Sequence, residues 1–156
     1  MRSNLHTIFP RKECHIPKWF VIDATGKTLG RLATEVSKYL RGKETSLFTP
    51  NIDQGNFVVV LNSNKISLTG KKEQQKAYFR NSQRPGGLKK ESFTHLKERL
   101  PSRILEHAIW GMLPKGRLGR QYYKRLYVYS KSTIPYNKKI FDVENDTKFK
   151  ETWSQI

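Results

Sequence analysis

Cysteine is nearly absent: Cys14 is the only one in the chain. A lone thiol can neither close a disulfide within the chain nor build a cysteine-rich zinc site, so an intracellular, reducing setting is expected. Cys14 and His15 are half of a ligand set with no other half at metal-binding spacing, and no metal or other cofactor is expected. Long apolar runs are missing too. Nothing approaches the ~18 apolar residues that span a bilayer, and residues 1–18 lack the apolar stretch of a secretory leader. Neither a membrane nor a small-molecule substrate is an expected partner. Acid is scarce: 13 Asp and Glu stand against 30 Lys and Arg, a formal net charge of +17. Solubility alone asks for roughly 2 to 8 units, and so strong a field repels itself unless an anion neutralises it. A polyanion is the expected partner. Catalytic groupings are lacking as well. The acids are scattered, and neither a nucleophile elbow, a carboxylate pair nor an H-E-x-x-H is present, so no enzyme is expected.

What the chain does have is concentrated in residues 111–125, Gly-Met-Leu-Pro-Lys-Gly-Arg-Leu-Gly-Arg-Gln-Tyr-Tyr-Lys-Arg, with five cations, three glycines and no acid. Pro114 stops an incoming helix, because it lacks an N–H and clashes with the preceding turn. A new helical spacing starts near Gly116. Leu118, Tyr122 and Leu126 recur at i, i+4 and i+8 and form an apolar stripe. Arg117, Arg120 and Lys124 recur at i, i+3 and i+7 on the opposite side. A charge run is ordinarily a solvated face, but here no acid is interspersed to neutralise it, which favours a phosphate-facing surface.

The hydrophobic share of 36% suffices for one lean core in a single domain. Residues 1–18 read as an extended basic arm, 19–141 as the folded domain, and 142–156 as an acidic tail. Trp19-Phe20-Val21-Ile22 is a strand buried on both faces. Residues 23–28 turn the chain, and Leu29, Leu32, Ala33, Val36 and Leu40 then follow helical spacing to Gly42, with Thr28 as N-cap. Phe57-Val58-Val59-Val60-Leu61 is a second buried strand, which makes a right-handed βαβ unit. Gly26-Lys27-Thr28 invites a nucleotide-binding reading, but a phosphate-binding loop needs a glycine where Val21 stands. A single phosphate at the helix start, beside Lys27, is all that this turn offers.

Residues 65–69 alternate polar and apolar as a half-buried strand does, and 77–79 form another. Between 65 and 90 eight Lys or Arg face Glu73 alone. Arg80, Arg84 and Pro85-Gly86-Gly87 read as an exposed basic hairpin or loop. Tyr78 and Phe79 beside it can stack on unpaired bases or pack in the core. Residues 93–100 and 101–113 are two helices, on which His95 and His107 lack any catalytic or metal-binding neighbours. Residues 126–129 are a last strand.

The segments Trp19-Phe-Val-Ile-Asp-Ala-Thr-Gly-Lys-Thr-Leu-Gly-Arg-Leu-Ala33, Phe48-Thr-Pro-Asn-Ile-Asp53, Gly70-Lys71, Gly86-Gly87 and above all Gly111-Met-Leu-Pro-Lys-Gly-Arg-Leu-Gly-Arg120 resemble ribosomal large-subunit protein thirteen, in its bacterial and organellar form. The similarity runs from about Trp19 to Tyr129. It implies a three-layer α/β/α domain around a mainly parallel sheet, binding to large-subunit ribosomal RNA, neighbouring ribosomal proteins, and a structural role without catalysis. Arg84-Pro-Gly-Gly-Leu and Lys115-Gly-Arg-Leu-Gly-Arg look most like plastid members, so plastid stroma is the favoured compartment and bacterial cytoplasm the alternative. After Tyr129 the family pattern of a histidine-containing turn and Gln-Pro is replaced by Ser-Lys-Ser-Thr-Ile-Pro-Tyr-Asn. The expected RNA contacts fall in three groups: Lys115, Arg117, Arg120, Lys124 and Arg125; Lys71, Lys72, Arg80 and Arg84; and Lys27 with Arg31. Recognition of RNA shape rather than base sequence is expected.

Overall fold

The computed structural model of the chain describes residues 10–11 and 15–134; most of the expected arm and all of the expected acidic tail lie outside them. Strand β1 (Trp19–Asp23) leads through a turn into helix α1 (Leu29–Arg41), and strand β2 (Phe57–Leu61) then pairs parallel with β1, Phe20 opposite Val58 and Ile22 opposite Val60. This is the expected βαβ unit. The apolar stripe of α1 is buried as its spacing required, with Leu32, Ala33, Val36 and Leu40 at 1% exposure or less. Thr28 holds the N-cap position in extended backbone, but its hydroxyl caps nothing. Its main chain instead bridges Ser67, whose carbonyl accepts from Leu29 N at 3.0 Å. Gly42 ends the helix at φ +73°, where its own amide reaches Tyr39 O and that of Lys43 reaches Lys38 O. Only a glycine enters that left-handed turn without strain.

Residues 65–69 are not a strand. Ser63–Lys65 form a short 3-10 turn, and the segment contributes the single Ser67 bridge to Thr28. Alternation placed Ile66 correctly in the core, at 3% exposure, but the turn at the start of α1 is the backbone partner that its register finds. A four-residue helix, α2 (Lys72–Gln75), precedes an antiparallel hairpin of β3 (Ala77–Asn81) and β4 (Leu88–Ser92). Helices α3 (Phe93–Arg99), α4 (Pro101–Met112) and α5 (Arg117–Tyr123) follow, with Pro101 at the first position of α4. Strand β5 (Leu126–Val128) completes a parallel sheet of order β1-β2-β5.

The protein is thus mixed α/β around a parallel sheet, as expected. One core lies where Ile22, Val58 and Val60 meet the buried faces of α1, α3, α4 and α5, around Phe93, Leu105, Ile109 and Tyr122. The opposite sheet face buries Val21, Val59 and Leu61. Among the described residues Trp19, Tyr127, Tyr129 and Ile134 pack against it, with Trp19 stacked on Phe57 at 4.4 Å. No helix among the described residues is long and apolar enough to cross a membrane.

The tips of β1 and β2 are tied by a polar cluster. Asp23 Oδ1 accepts from Asn62 Nδ2 at 2.9 Å, from Thr25 N at 3.0 Å and from Thr25 Oγ1 at 2.8 Å. The Asn62 amide, first among these, holds the Asp23 carboxyl below its ordinary range. A lowered carboxylate contributes stability above its unfolded value and loses it as pH falls through the folded one. Asn62 itself lies at φ +57°, so Asn62→Gly removes the amide without straining the backbone. In urea unfolding, this variant is expected to be less stable than the parent at neutral pH, with the gap narrowing in acid as Asp23 protonates. A gap independent of pH would contradict the linkage.

Candidate nucleic-acid interface

Helix α5 has the two faces its spacing predicted. Tyr122 is 2% exposed and Leu118 half-buried, while Arg117, Arg120 and Lys124 are exposed. Among the described residues none of these three cations enters an ion pair. The apolar stripe is shorter than expected. The helix stops at Tyr123, and Leu126 packs on the core from β5 instead. Burial of Tyr122 pushes its phenol up, and its hydroxyl donates to Ile52 O at 3.4 Å.

Two members of the first expected group have work inside the fold. Arg125 is partly buried and has partners within the fold. Its Nη2 donates to Asp53 Oδ2 at 2.7 Å, its Nη1 donates to the Gly55 carbonyl, and its guanidinium lies over the Phe57 ring at 5.5 Å. The Asp53 side chain is 7% exposed, and a buried carboxylate needs such a partner. Arg125 therefore ties the loop before β2 to the start of β5 rather than facing outward. Lys115 is exposed, yet its Nζ donates to Trp110 O at 2.8 Å and sits 5.1 Å over the Trp110 ring. It closes the C-terminal end of α4, where unsatisfied carbonyls favour a cation.

The second group lies on neighbouring elements. Lys71 and Lys72 begin α2, Arg80 is on β3 and Arg84 is in the turn that follows; all four are exposed. The hairpin adds Lys89 and Lys90, which sequence reasoning left out. Strand register is the missing signal: Arg80 stands directly opposite Lys89, and Phe79 opposite Lys90. Like charges placed across a ladder repel each other, and an external anion relieves that repulsion. The two aromatics divide. Tyr78 turns inward, half-buried and edge-on to His107 at 5.6 Å, while Phe79 is 63% exposed among the cations. In the third group, Lys27 shares its charge with Glu35 at 3.7 Å, and Arg31 is exposed.

Of the two helical histidines, His107 meets Tyr78 and His95 has local partners. His95 Nδ1 meets Glu91 at 2.9 Å, and Arg99 grips the same carboxylate at 2.8 Å, which together hold Glu91 below its ordinary value, Arg99 foremost. His15 Nε2 donates to Gly55 O at 3.3 Å; Cys14 lies outside the described residues.

Next to α5 an open groove of about 250 Å³ separates it from the loop that follows α1. Its walls are Phe48, Pro50, Pro114, Leu118 and Tyr122, and its charged lining residues are Arg41 and Arg117. The Arg41 guanidinium stands 5.7 Å over the Phe48 ring, and Lys43 approaches the same ring at 5.8 Å.

Known proteins resemble this chain in sequence along most of its length. The family described as "Ribosomal protein L13" matches residues 17–135. The protein named Large ribosomal subunit protein uL13 of Microcystis aeruginosa is 52% identical over 130 residues, covering 83% of this chain and 86% of that one. Its namesake in Synechococcus sp. is 56% identical over 119 residues, 76% of this chain and 79% of the other. Large ribosomal subunit protein uL13c of Spinacia oleracea is 48% identical over 133 residues, 83% of this chain and 53% of the spinach protein. The chain belongs to the ribosomal protein L13 family, and it serves as a structural constituent of the large ribosomal subunit rather than as an enzyme.

Proposed function

We propose that the protein holds large-subunit ribosomal RNA through lysine and arginine contacts to phosphates, and so helps to assemble and stabilise the subunit beside neighbouring ribosomal proteins. The observation that carries this reading is the outer face of α5, where Arg117, Arg120 and Lys124 are exposed without an ion pair among the described residues. Lys71, Lys72, Arg80 and Arg84 form a second contact surface, which we extend to Lys89 and Lys90, and Arg31 with Lys27 a smaller third. Each phosphate bound releases condensed counterions, while the core behind keeps the cations in register. Recognition is of RNA shape and backbone. The similarity to cyanobacterial proteins and to the uL13c of spinach supports a plastid setting.

Replacing Arg117, Arg120 and Lys124 together by Ala tests the reading. Ala is the best helix former and solvated charges contribute little, so the loss of stability should stay below about 1 kcal/mol. Affinity for large-subunit RNA should fall. The slope of log K against log salt should shrink by about 2 to 3 units as three phosphate contacts are lost. Titration at several salt concentrations reads both quantities. An unchanged slope would remove α5 from the interface.

A further inference from the structure

We propose that the groove between α5 and the loop after α1 receives one unpaired nucleotide of the bound RNA, with its base among the apolar walls and its phosphate on Arg41 and Arg117. This rests on the reading of α5 as an RNA-facing helix and adds a pocket to it. The walls are rings and aliphatic surface, both charged lining residues are cations, and among the described residues no acid lines the groove. At about 250 Å³ it falls below the roughly 300–1,000 Å³ typical of pockets for drug-sized ligands, and its size suits one flat ring.

Arg41 supplies the second observation. Its Nε is buried and has no hydrogen-bond partner among the described residues. Buried donors are nearly always paired, so an orphan on a residue that lines the groove calls for a ligand with acceptors. A nucleotide has them on its phosphate and on its base edge. Held over Phe48, the Arg41 guanidinium is already ordered as a plane on which a base can stack. The exposed cations of α5 begin at Arg117, itself part of the lining, so a strand whose phosphates follow α5 passes the mouth of the groove.

The experiment has two arms on the full chain. In the first, UMP and AMP are titrated while resonances of Phe48, Leu118, Tyr122 and the Arg41 Nε–H are followed, with inorganic phosphate as control. Either nucleotide should shift the aromatic and Leu118 signals, whereas phosphate should move only the arginines. In the second arm, Arg41→Lys keeps the charge but removes the planar fork, and Phe48→Leu keeps apolar bulk but removes the ring. Each should bind large-subunit RNA roughly 5- to 100-fold more weakly, the range of one lost base stack, with the salt slope unchanged. Thermal unfolding confirms that the variants are folded. Groove signals unmoved by nucleotides, or two variants that bind like the parent while the parent slope stays steep, would overturn the pocket and leave the phosphate stripe standing. A parent slope near zero would overturn both. Unchanged RNA affinity with poor incorporation into subunits would assign the groove to a protein and overturn the nucleotide.

Discussion

Gly119→Ala is expected to destabilise the protein by about 3 kcal/mol or more, toward or beyond the upper end of overpacking substitutions. Gly119 is buried in the first turn of α5. A Cβ placed there would stand 2.7 Å from the Pro114 carbonyl carbon, and nearer still to its oxygen. A flexible side chain could swing aside, but this neighbour is backbone, in the turn that joins α4 to α5. Relief therefore requires α5 to move away, which lifts Tyr122 from the core. Gly111→Ala is the control. Among the described residues, nothing beyond its chain neighbours and the backbone of its own helix lies within 4 Å of its added methyl, and Ala is favoured over Gly in a helix by up to about 1 kcal/mol. Denaturant unfolding should thus move in opposite directions for two glycines eight positions apart. If Gly119→Ala unfolds within 1 kcal/mol of the parent, α5 does not approach the turn as closely as the structure shows.

The second large effect is expected from the Asp53–Arg125 pair. Asp53→Ala leaves a guanidinium whose side chain is 20% exposed without its carboxylate, and Arg125→Ala leaves a carboxylate at 7% without its cation. Removing one partner of such a pair costs about 3–5 kcal/mol, because the remaining charge stays desolvated. The double variant should lose much less than the sum of the two, which a double-mutant cycle reads directly. Arg125→Lys should recover little, since an ammonium cannot span Asp53 Oδ2 and the Gly55 carbonyl with a planar fork. At temperatures where Arg125→Ala remains folded, its RNA salt slope should match the parent. Additive losses, or a reduced slope, would return Arg125 to the RNA surface.

These two sites mark how far local pattern reaches. The α1 stripe, the proline starts and stops at Pro101 and Pro114, the glycine exit at Gly42 and the continuous apolar strands β1 and β2 were all legible. Each depends on periodicity or backbone geometry that a few neighbouring residues impose by themselves. So was the division of α5, where Tyr122 faces the core and Arg117 and Arg120 face away. The family was legible for the same reason, since its recognisable segments are these turns and helix starts.

Tertiary structure decided the rest. Arg120 and Arg125 belong to one run of cations with no acid among them, yet one is exposed and the other meets Asp53, 72 residues distant in the chain. No local rule separates them, because burial of Asp53 creates the demand that Arg125 meets. Likewise Tyr78 and Phe79 are adjacent and alike, and only the pairing of β3 with β4 and its packing toward His107 sends one ring inward and the other out. Composition alone pointed to a polyanion as partner, because net charge is a sum and does not depend on the fold. Which cations remain exposed to meet that polyanion depends on which are consumed inside, and that is settled by contacts between residues far apart in sequence.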